Sequence, residues 1–234
     1  MRALAACAPG MEPWVERELL ELGLRPGSVE PGGVEFASDP AGILRANLGL
    51  GCALFVSLEL GRFKARGFPE LVRKASRLPW EQVAGPGARL WFQASSRRSK
   101  LYHTGAVEQR MLTAASERLG QSVEASKEDD AIRVRVRVLD DEVTVGVDTS
   151  EPPLRQRGYR TQVGKAPLRE DLARGLLRWA GLPELRPEVI WDPFCGSATL
   201  LIEAGLLAAG RWPGAGRRLA LDRFPAFRDL ARPA

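Results

Sequence analysis

The sequence predicts an α+β chain in three parts, and three observations carry that prediction. Residues 2–60 alternate short apolar runs with helical periodicity in the order β-α-β-β-α-β. Residues 132–147 place Arg133, Arg135 and Arg137 on one face and Val134, Val136 and Val138 on the other, as a hairpin with one buried side does. Residues 189–209 read as a short buried strand, an acidic glycine-containing turn and an apolar helix, the arrangement at which open α/β folds bind nucleotide-like ligands.

In the first part, the apolar run 3–7 is broken by Pro9-Gly10. Trp14, Val15, Leu19 and Leu22 then recur at helical spacing until Gly23 stops them. Two short strands, 28–30 and 33–36, flank Pro31-Gly32. Asp39 caps a helix that runs to about Leu48, and 53–60 is the last strand. This order is the ferredoxin-like split unit, assigned to residues 1–65. The second part, 66–150, holds a helix at 69–78 with Leu71, Val72 and Ala75 on one face, and a strand at 89–94. A helix at 105–119 follows, with Val107, Met111, Leu112 and Ala115 inward, and then the hairpin turning at Asp140-Asp141. Glu151-Pro152-Pro153 reads as a linker. The third part, 151–234, opens with Arg155, Arg157, Arg160 and Lys165 among few acids. It continues with a helix at 168–180 ended by Gly181, the strand 189–191 and a helix from about Leu200.

Composition narrows the function. The net charge of +5 favours a polyanionic partner such as nucleic acid, although a generic basic surface has the same charge. Cys7, Cys52 and Cys195 are too far apart for a metal site, and their odd number argues against a disulfide framework. A reducing cytoplasm is the simplest compartment. His103 is the sole histidine, which excludes His-rich metal sites and argues against a Ser-His-Asp triad. No signal peptide and no apolar run of the ~18 residues that cross a bilayer are visible, so no membrane partner is expected.

The chemistry concentrates in Asp192-Pro193-Phe194-Cys195-Gly196-Ser197-Ala198-Thr199. Asp192 sits at the expected strand tip, Gly196 lets the backbone approach a ligand, and Ser197 or Thr199 can cap the next helix. The helix N-terminus adds roughly half a positive charge. Such a turn suits an adenosine-bearing ligand with a charged tail, such as S-adenosylmethionine; the plain alternative is a β-α turn in a buried sheet. Cys195 reads as packing. Glu170-Asp171 read as first-turn acids of their helix. Arg97, Arg98 and Lys100, with Tyr102 and His103 beside them, fit backbone contact to RNA. Arg133, Arg135 and Arg137 read first as a solvated charged strand face, with RNA contact as the alternative.

The string Asp192-Pro193-Phe194-Cys195-Gly196-Ser197-Ala198-Thr199 resembles the first cofactor motif of class I RNA methyltransferases that carry an N-terminal THUMP domain. Arg157-Gly158-Tyr159-Arg160, Ala166-Pro167-Leu168-Arg169-Glu170-Asp171-Leu172-Ala173 and Ala46-Asn47-Leu48 match the same group in order. Residues 99–107 look like the entry to a THUMP helix. The resemblance implies a ferredoxin-like N-terminal unit plus a THUMP domain, followed by the start of a Rossmann-like methyltransferase domain. It implies S-adenosylmethionine as cofactor, held by Asp192, Pro193, Phe194, Cys195, Gly196, Ser197 and Thr199. It implies RNA, rRNA before tRNA, as partner, met by Arg97, Arg98, Lys100, Tyr102, His103, Arg157 and Arg160. The reaction implied is methylation of an exocyclic guanine nitrogen in large-subunit rRNA, as in the bacterial guanine-N2 enzymes of the group.

Two departures from the pattern are visible. The family usually has glycine where Ala198 stands. The ribose-binding acid of a second strand and the Asn-Pro-Pro-Tyr motif that holds the target base have no counterpart, since Asn47 is the sole asparagine. The expectation is a catalytic domain truncated after the first cofactor motif, inactive alone, or completed by a second chain. A THUMP RNA-binding protein with a methyltransferase remnant is the alternative.

Overall fold

The computed structural model describes residues 1–128, 130–160, 167–185 and 189–230. They form two compact bodies: Ala3–Val56 with Ser150–Leu219, and Ser57–Thr149 with Met1–Arg2 and 220–230. A single strand, β4 (Ala53–Lys64), begins in the first and continues in the second.

The first body contains β1 (Arg2–Cys7), α1 (Glu12–Glu21), β2 (Arg25–Glu30), β3 (Gly33–Ala37) and α2 (Pro40–Gly49), with strand order β2-β3-β1-β4. Placing β1 between β3 and β4 is the ferredoxin-like arrangement that the sequence predicts. Helix α1 buries Val15 and Leu19, and Glu18 lies on the same face. Asp39 caps α2 as expected, its Oδ1 accepting from the Gly42 N–H at 2.7 Å. Asn47 is fully buried and satisfied: its amide donates to the Ile43 carbonyl at 2.9 Å, and its Oδ1 accepts from the Ser150 hydroxyl at 2.6 Å. That hydroxyl accepts from Val56 N–H at 2.7 Å, so one buried asparagine ties α2 to the segment that follows residue 149. Two further helices complete this body, α5 (Glu170–Trp179) and α6 (Thr199–Ala208). They share a small apolar cluster of Leu177, Leu182, Ala204 and Leu207, with Leu200 packed on it.

In the second body β4 is followed by α3 (Phe68–Ala75), β5 (Arg89–Arg97), α4 (Thr104–Leu119), β6 (Glu124–Ala125), β7 (Ile132–Leu139) and β8 (Glu142–Asp148). The strand order is β4-β8-β7-β5-β6. The hairpin β7-β8 is antiparallel, and β5 lies parallel to β7 with Trp91 opposite Arg133 and Ala94 opposite Val136. The alternation holds: Val134, Val136, Val138, Val143, Val145 and Val147 are buried with Leu90 and Phe92. Trp80 is buried in a short turn of 3-10 helix, its indole N–H donating to the Ala75 carbonyl at 2.9 Å and its ring edge-on to Phe92. No helix of the described residues is long and apolar enough to cross a membrane.

The structure corrects the local reading at three places. Residues 189–191, expected as a buried strand, lie outside every strand, with Trp191 82% exposed. Among the described residues none pairs with them, and a lone strand leaves its backbone N–H and C=O groups without partners. Neither Ser197 nor Thr199 caps α6; the cap position is Ala198 and makes no side-chain hydrogen bond there. Strands β4 and β5 run several residues beyond their expected ends because each has long-range partners along its full length. Lys165 and Ala166 lie outside the described residues.

Gly214 shows how tightly the loop after α6 is held. Its N–H donates to the Leu48 carbonyl at 2.8 Å, and an added Cβ would stand 2.8 Å from Asn47 O and from Leu48 Cα. Backbone cannot move aside as a flexible side chain can. Gly214→Ala is expected to destabilise the chain by about 1–3 kcal/mol, measured as a lower urea midpoint at unchanged m-value.

Candidate functional site: a cofactor turn and a basic loop

The cofactor turn is built by its own backbone. Asp192 Oδ1 accepts from the Phe194 N–H at 3.0 Å, which folds the carboxylate over the start of the turn. Ala198 N–H closes the turn on the Cys195 carbonyl at 2.7 Å. Gly196 and Ala198 both take left-handed φ, +51° and +56°. A Cβ on Gly196 would meet nothing nearer than the Phe194 carbonyl at 3.9 Å, so the backbone there is open to a ligand. With no side chain capping α6, its first N–H groups stay available to an acceptor. Ser197 and Thr199 hydroxyls lie 3.1 Å apart. Phe194 is 93% exposed, and Cys195 is an exposed free thiol.

Two arginines expected at RNA are placed on this turn and its helix instead. Arg160 Nη2 donates to Thr199 Oγ1 at 2.9 Å and to the Leu168 carbonyl at 3.0 Å, and it pairs with Glu170 at 3.2 Å. Arg157 is buried. Its guanidinium donates to the carbonyls of Leu154 and Gly51, and its Nε lies 3.3 Å from Glu203 Oε1. Glu170 and Asp171 do begin a helix, α5, but both are buried and paired, Asp171 with Arg169.

The basic loop lies in the other body, between β5 and α4. Arg97, Lys100, Tyr102 and His103 are exposed there, and the Tyr102 and His103 rings lie side by side, tilted by 41°, with centroids 4.1 Å apart. The loop is held by the β7-β8 turn, a role that sequence reasoning did not assign. Asp140 and Asp141 both have left-handed φ, as a two-residue hairpin turn requires. Asp140 receives Arg98 in a two-pronged pair at 2.7 and 2.8 Å. Asp141 accepts from the Ser99 hydroxyl at 2.8 Å and the Lys100 N–H at 2.9 Å, and Arg66 stands 3.2 Å away. These donors, the Lys100 N–H foremost, hold the Asp141 carboxyl below the usual carboxylate range. On the sheet face Arg133 lies over the Trp91 ring at 4.5 Å.

Sequence reasoning also missed four charged residues inside the first body: Glu18, Arg174, Arg178 and Glu203 are all buried. A signal for two of them exists. Glu18 interrupts the Val15–Leu19 stripe, and Glu203 is the single charge in Leu200-Leu201-Ile202-Glu203-Ala204. Among the described residues no group of His, Cys, Asp or Glu side chains converges to hold a metal ion.

A ferredoxin-like unit, a mixed sheet with a basic loop, and a glycine-containing acidic turn opening a helix are the parts that the THUMP methyltransferase resemblance implies. The comparisons agree. Family models match residues 2–54 as the RlmL ferredoxin-like domain, 65–148 as the THUMP domain and 157–231 as the RMKL-like methyltransferase domain. The chain belongs to the THUMP-containing class I RNA methyltransferase family. It is 39% identical over 223 residues to the ribosomal RNA large subunit methyltransferase K/L of Methylococcus capsulatus, covering 92% of this chain and 30% of that protein. A solved structure described as a predicted N6-adenine-specific DNA methylase from Listeria monocytogenes is 32% identical with TM-score 0.83, covering 97% of this chain and 62% of that one. SMU.472 in complex with SAH is 28% identical with TM-score 0.77, covering 96% and 60%. The chain thus spans between a third and three fifths, roughly, of the length of these proteins.

An alanine at φ +56° carries left-handed strain that a glycine at position 198 would not. Ala198→Gly is expected to raise stability by about 0.5–1 kcal/mol, read from the urea midpoint. The depressed folded-state value of Asp141 means that its clamp contributes above the ordinary aspartate range and is lost as pH falls through that lowered value. The Lys100 amide shift should therefore titrate with a midpoint below ~3.9, the model-peptide value; a midpoint at or above it would show the clamp open in solution.

Proposed function

We propose that this chain is the RNA-binding and cofactor-entry portion of an S-adenosylmethionine-dependent methyltransferase acting on guanine N2 of large-subunit rRNA. The observation that carries the cofactor part of this reading is the turn 192–199, open at Gly196, uncapped at α6 and led by the Asp192 carboxylate. When bound, the cofactor supplies an electrophilic methyl group. The chain's own part would be to hold and orient it: Asp192 and the turn amides would meet its polar groups, Pro193, Phe194 and Cys195 would meet its apolar parts, and the Ser197 and Thr199 hydroxyls would face it at the start of α6. The SAH-bound neighbour supports that cofactor. The THUMP match and the rRNA methyltransferase relative favour RNA over the DNA named for the Listeria protein.

RNA contact falls to Arg97, Arg98, Lys100, Tyr102 and His103, where cations sit beside a pair of rings in contact. The placement of Arg157 and Arg160 leaves them the task of holding the turn and α6. The exposed 189–191 segment supports a methyltransferase sheet completed by further polypeptide, in which Trp191 becomes buried. On that basis the 234-residue chain binds its ligands but does not turn over alone.

Calorimetry and RNA titration test both halves. Asp192→Ala is expected to weaken SAH binding at least about tenfold, the loss of one charged hydrogen-bonding group, with RNA affinity intact. Lys100→Ala should spare SAH binding, weaken RNA binding and lower the salt slope by about one. SAH failing to bind the parent chain at all, with RNA still bound, would favour a THUMP RNA-binding module.

A further inference from the structure

The first body holds a closed ring of buried charges that none of the cofactor or RNA contacts uses. Glu18 of α1 accepts with Oε2 from the N–H groups of Gly51 and Cys52, both at 2.8 Å. Its Oε1 lies 3.2 Å from Arg178 Nε and 3.7 Å from Arg174 Nε, both on α5. Arg174 Nη1 lies 3.7 Å from Glu203 Oε2 on α6. Glu203 Oε1 accepts from the Tyr159 hydroxyl at 3.2 Å and from Arg157 Nε at 3.3 Å, and Arg157 returns to the Gly51 carbonyl. Gly51 therefore closes the ring through its N–H and its C=O. A Cβ there would stand 2.7 Å from Arg174 Nε, so a side chain at 51 would displace that arginine.

The ring has a direction. Glu203 is one turn beyond Thr199, so both lie on the same face of α6, and that face is the one held: Thr199 by Arg160, Glu203 by Arg157, Tyr159 and Arg174. Glu203 is 0% and Glu18 2% exposed. Arg174 Nε and Nη1 and Glu203 Oε2 make no hydrogen bond. At 3.7 Å their interaction is charge against charge in a poorly hydrated interior. Burial pulls the Arg174 guanidinium below its usual value, and Glu18 and Glu203 oppose that pull, so the arginine needs both carboxylates.

We propose that Glu18, Arg174, Glu203 and Arg157 are positioning residues: through them helix α1 of the ferredoxin-like unit sets the position of α6 and hence of the cofactor turn at its N-terminus. The proposal rests on the cofactor reading of that turn for its functional meaning, not for its geometry. It makes the N-terminal unit part of the cofactor site's scaffold.

Hydrogen exchange on the whole chain tests it, because among the described residues no hydrogen bond or ion pair joins Glu18 to α6 directly. Glu18→Gln keeps the shape and removes the charge. Amides of α6 and of the 195–198 turn are expected to exchange at least about tenfold faster in this variant, while those of β7 and β8 stay unchanged. Unchanged α6 exchange in a variant whose α1 loosens would overturn the proposal. Should Glu18→Gln fail to fold, Arg174→Lys, which keeps the charge but shortens its two-sided reach, must show the same α6-selective loosening. A uniform rise across both bodies, or none, overturns it. SAH affinity is measured alongside. Loss of SAH binding in the variants with RNA affinity retained supports positioning. Absence of SAH binding to the parent defeats the cofactor reading, and the exchange result still decides the ring.

Discussion

A carboxylate placed on the apolar face of a helix must find a counter-charge, and much of the first body follows from how Glu18 finds one. Its oxygens take two backbone N–H groups and face two arginines, both on α5. Removing a charge from water costs several kcal/mol, so such a group persists only when its partners are supplied at the same time. Those partners come from residues about 160 positions away, whose helix therefore has one acceptable seating. The second carboxylate, Glu203, extends the same constraint to α6. Apolar contact alone would not fix that helix so well: the cluster it shares with α5 has only a few side chains, Leu177, Leu182, Ala204, Leu207 and Leu200. Non-directional burial leaves rotation of a helix free, and charge pairing removes that freedom.

The second body solves a similar problem with surface acids. Two aspartates in a tight hairpin turn occupy a backbone conformation that most residues avoid and Asp tolerates. In that position their carboxylates reach the passage from β5 to α4, orient Arg98 and bind the Lys100 amide. The basic loop is thereby ordered before any polyanion arrives, and a preordered loop loses less entropy on binding. Arg98 is neutralised in the process, so the charge offered outward rests more on Arg97 and Lys100.

Much of the fold was legible because its signals are local. The β-α-β-β-α-β order, the valine alternation of β7 and the Asp39 cap each depend on residues within a turn or a strand of one another, and each stands as read. The acidic turn at 192 and its resemblance to a cofactor motif were equally legible, since a motif is a local string. The strand at 189–191 was not, because apolar content cannot tell whether a neighbouring strand exists to satisfy its backbone. Arg157 and Arg160 were misplaced for a related reason: an arginine in a basic stretch looks the same whether its guanidinium meets phosphate or a buried carboxylate.

The sequence by itself determined the β-α-β-β-α-β order of residues 2–64, the valine alternation of β7, the family resemblance and the string that forms the cofactor turn, all of which are properties of residues close in the chain. Only the tertiary structure decided which charges face inward. The pairing of Glu18 with Arg174 and Arg178, the sharing of Arg174 with Glu203, and the hold of Asp140 and Asp141 on the 98–100 loop join residues between 29 and 160 positions apart. No periodicity encodes such pairs, because an ion pair depends on distance in space and on exclusion of water, and both exist only once the chain has folded.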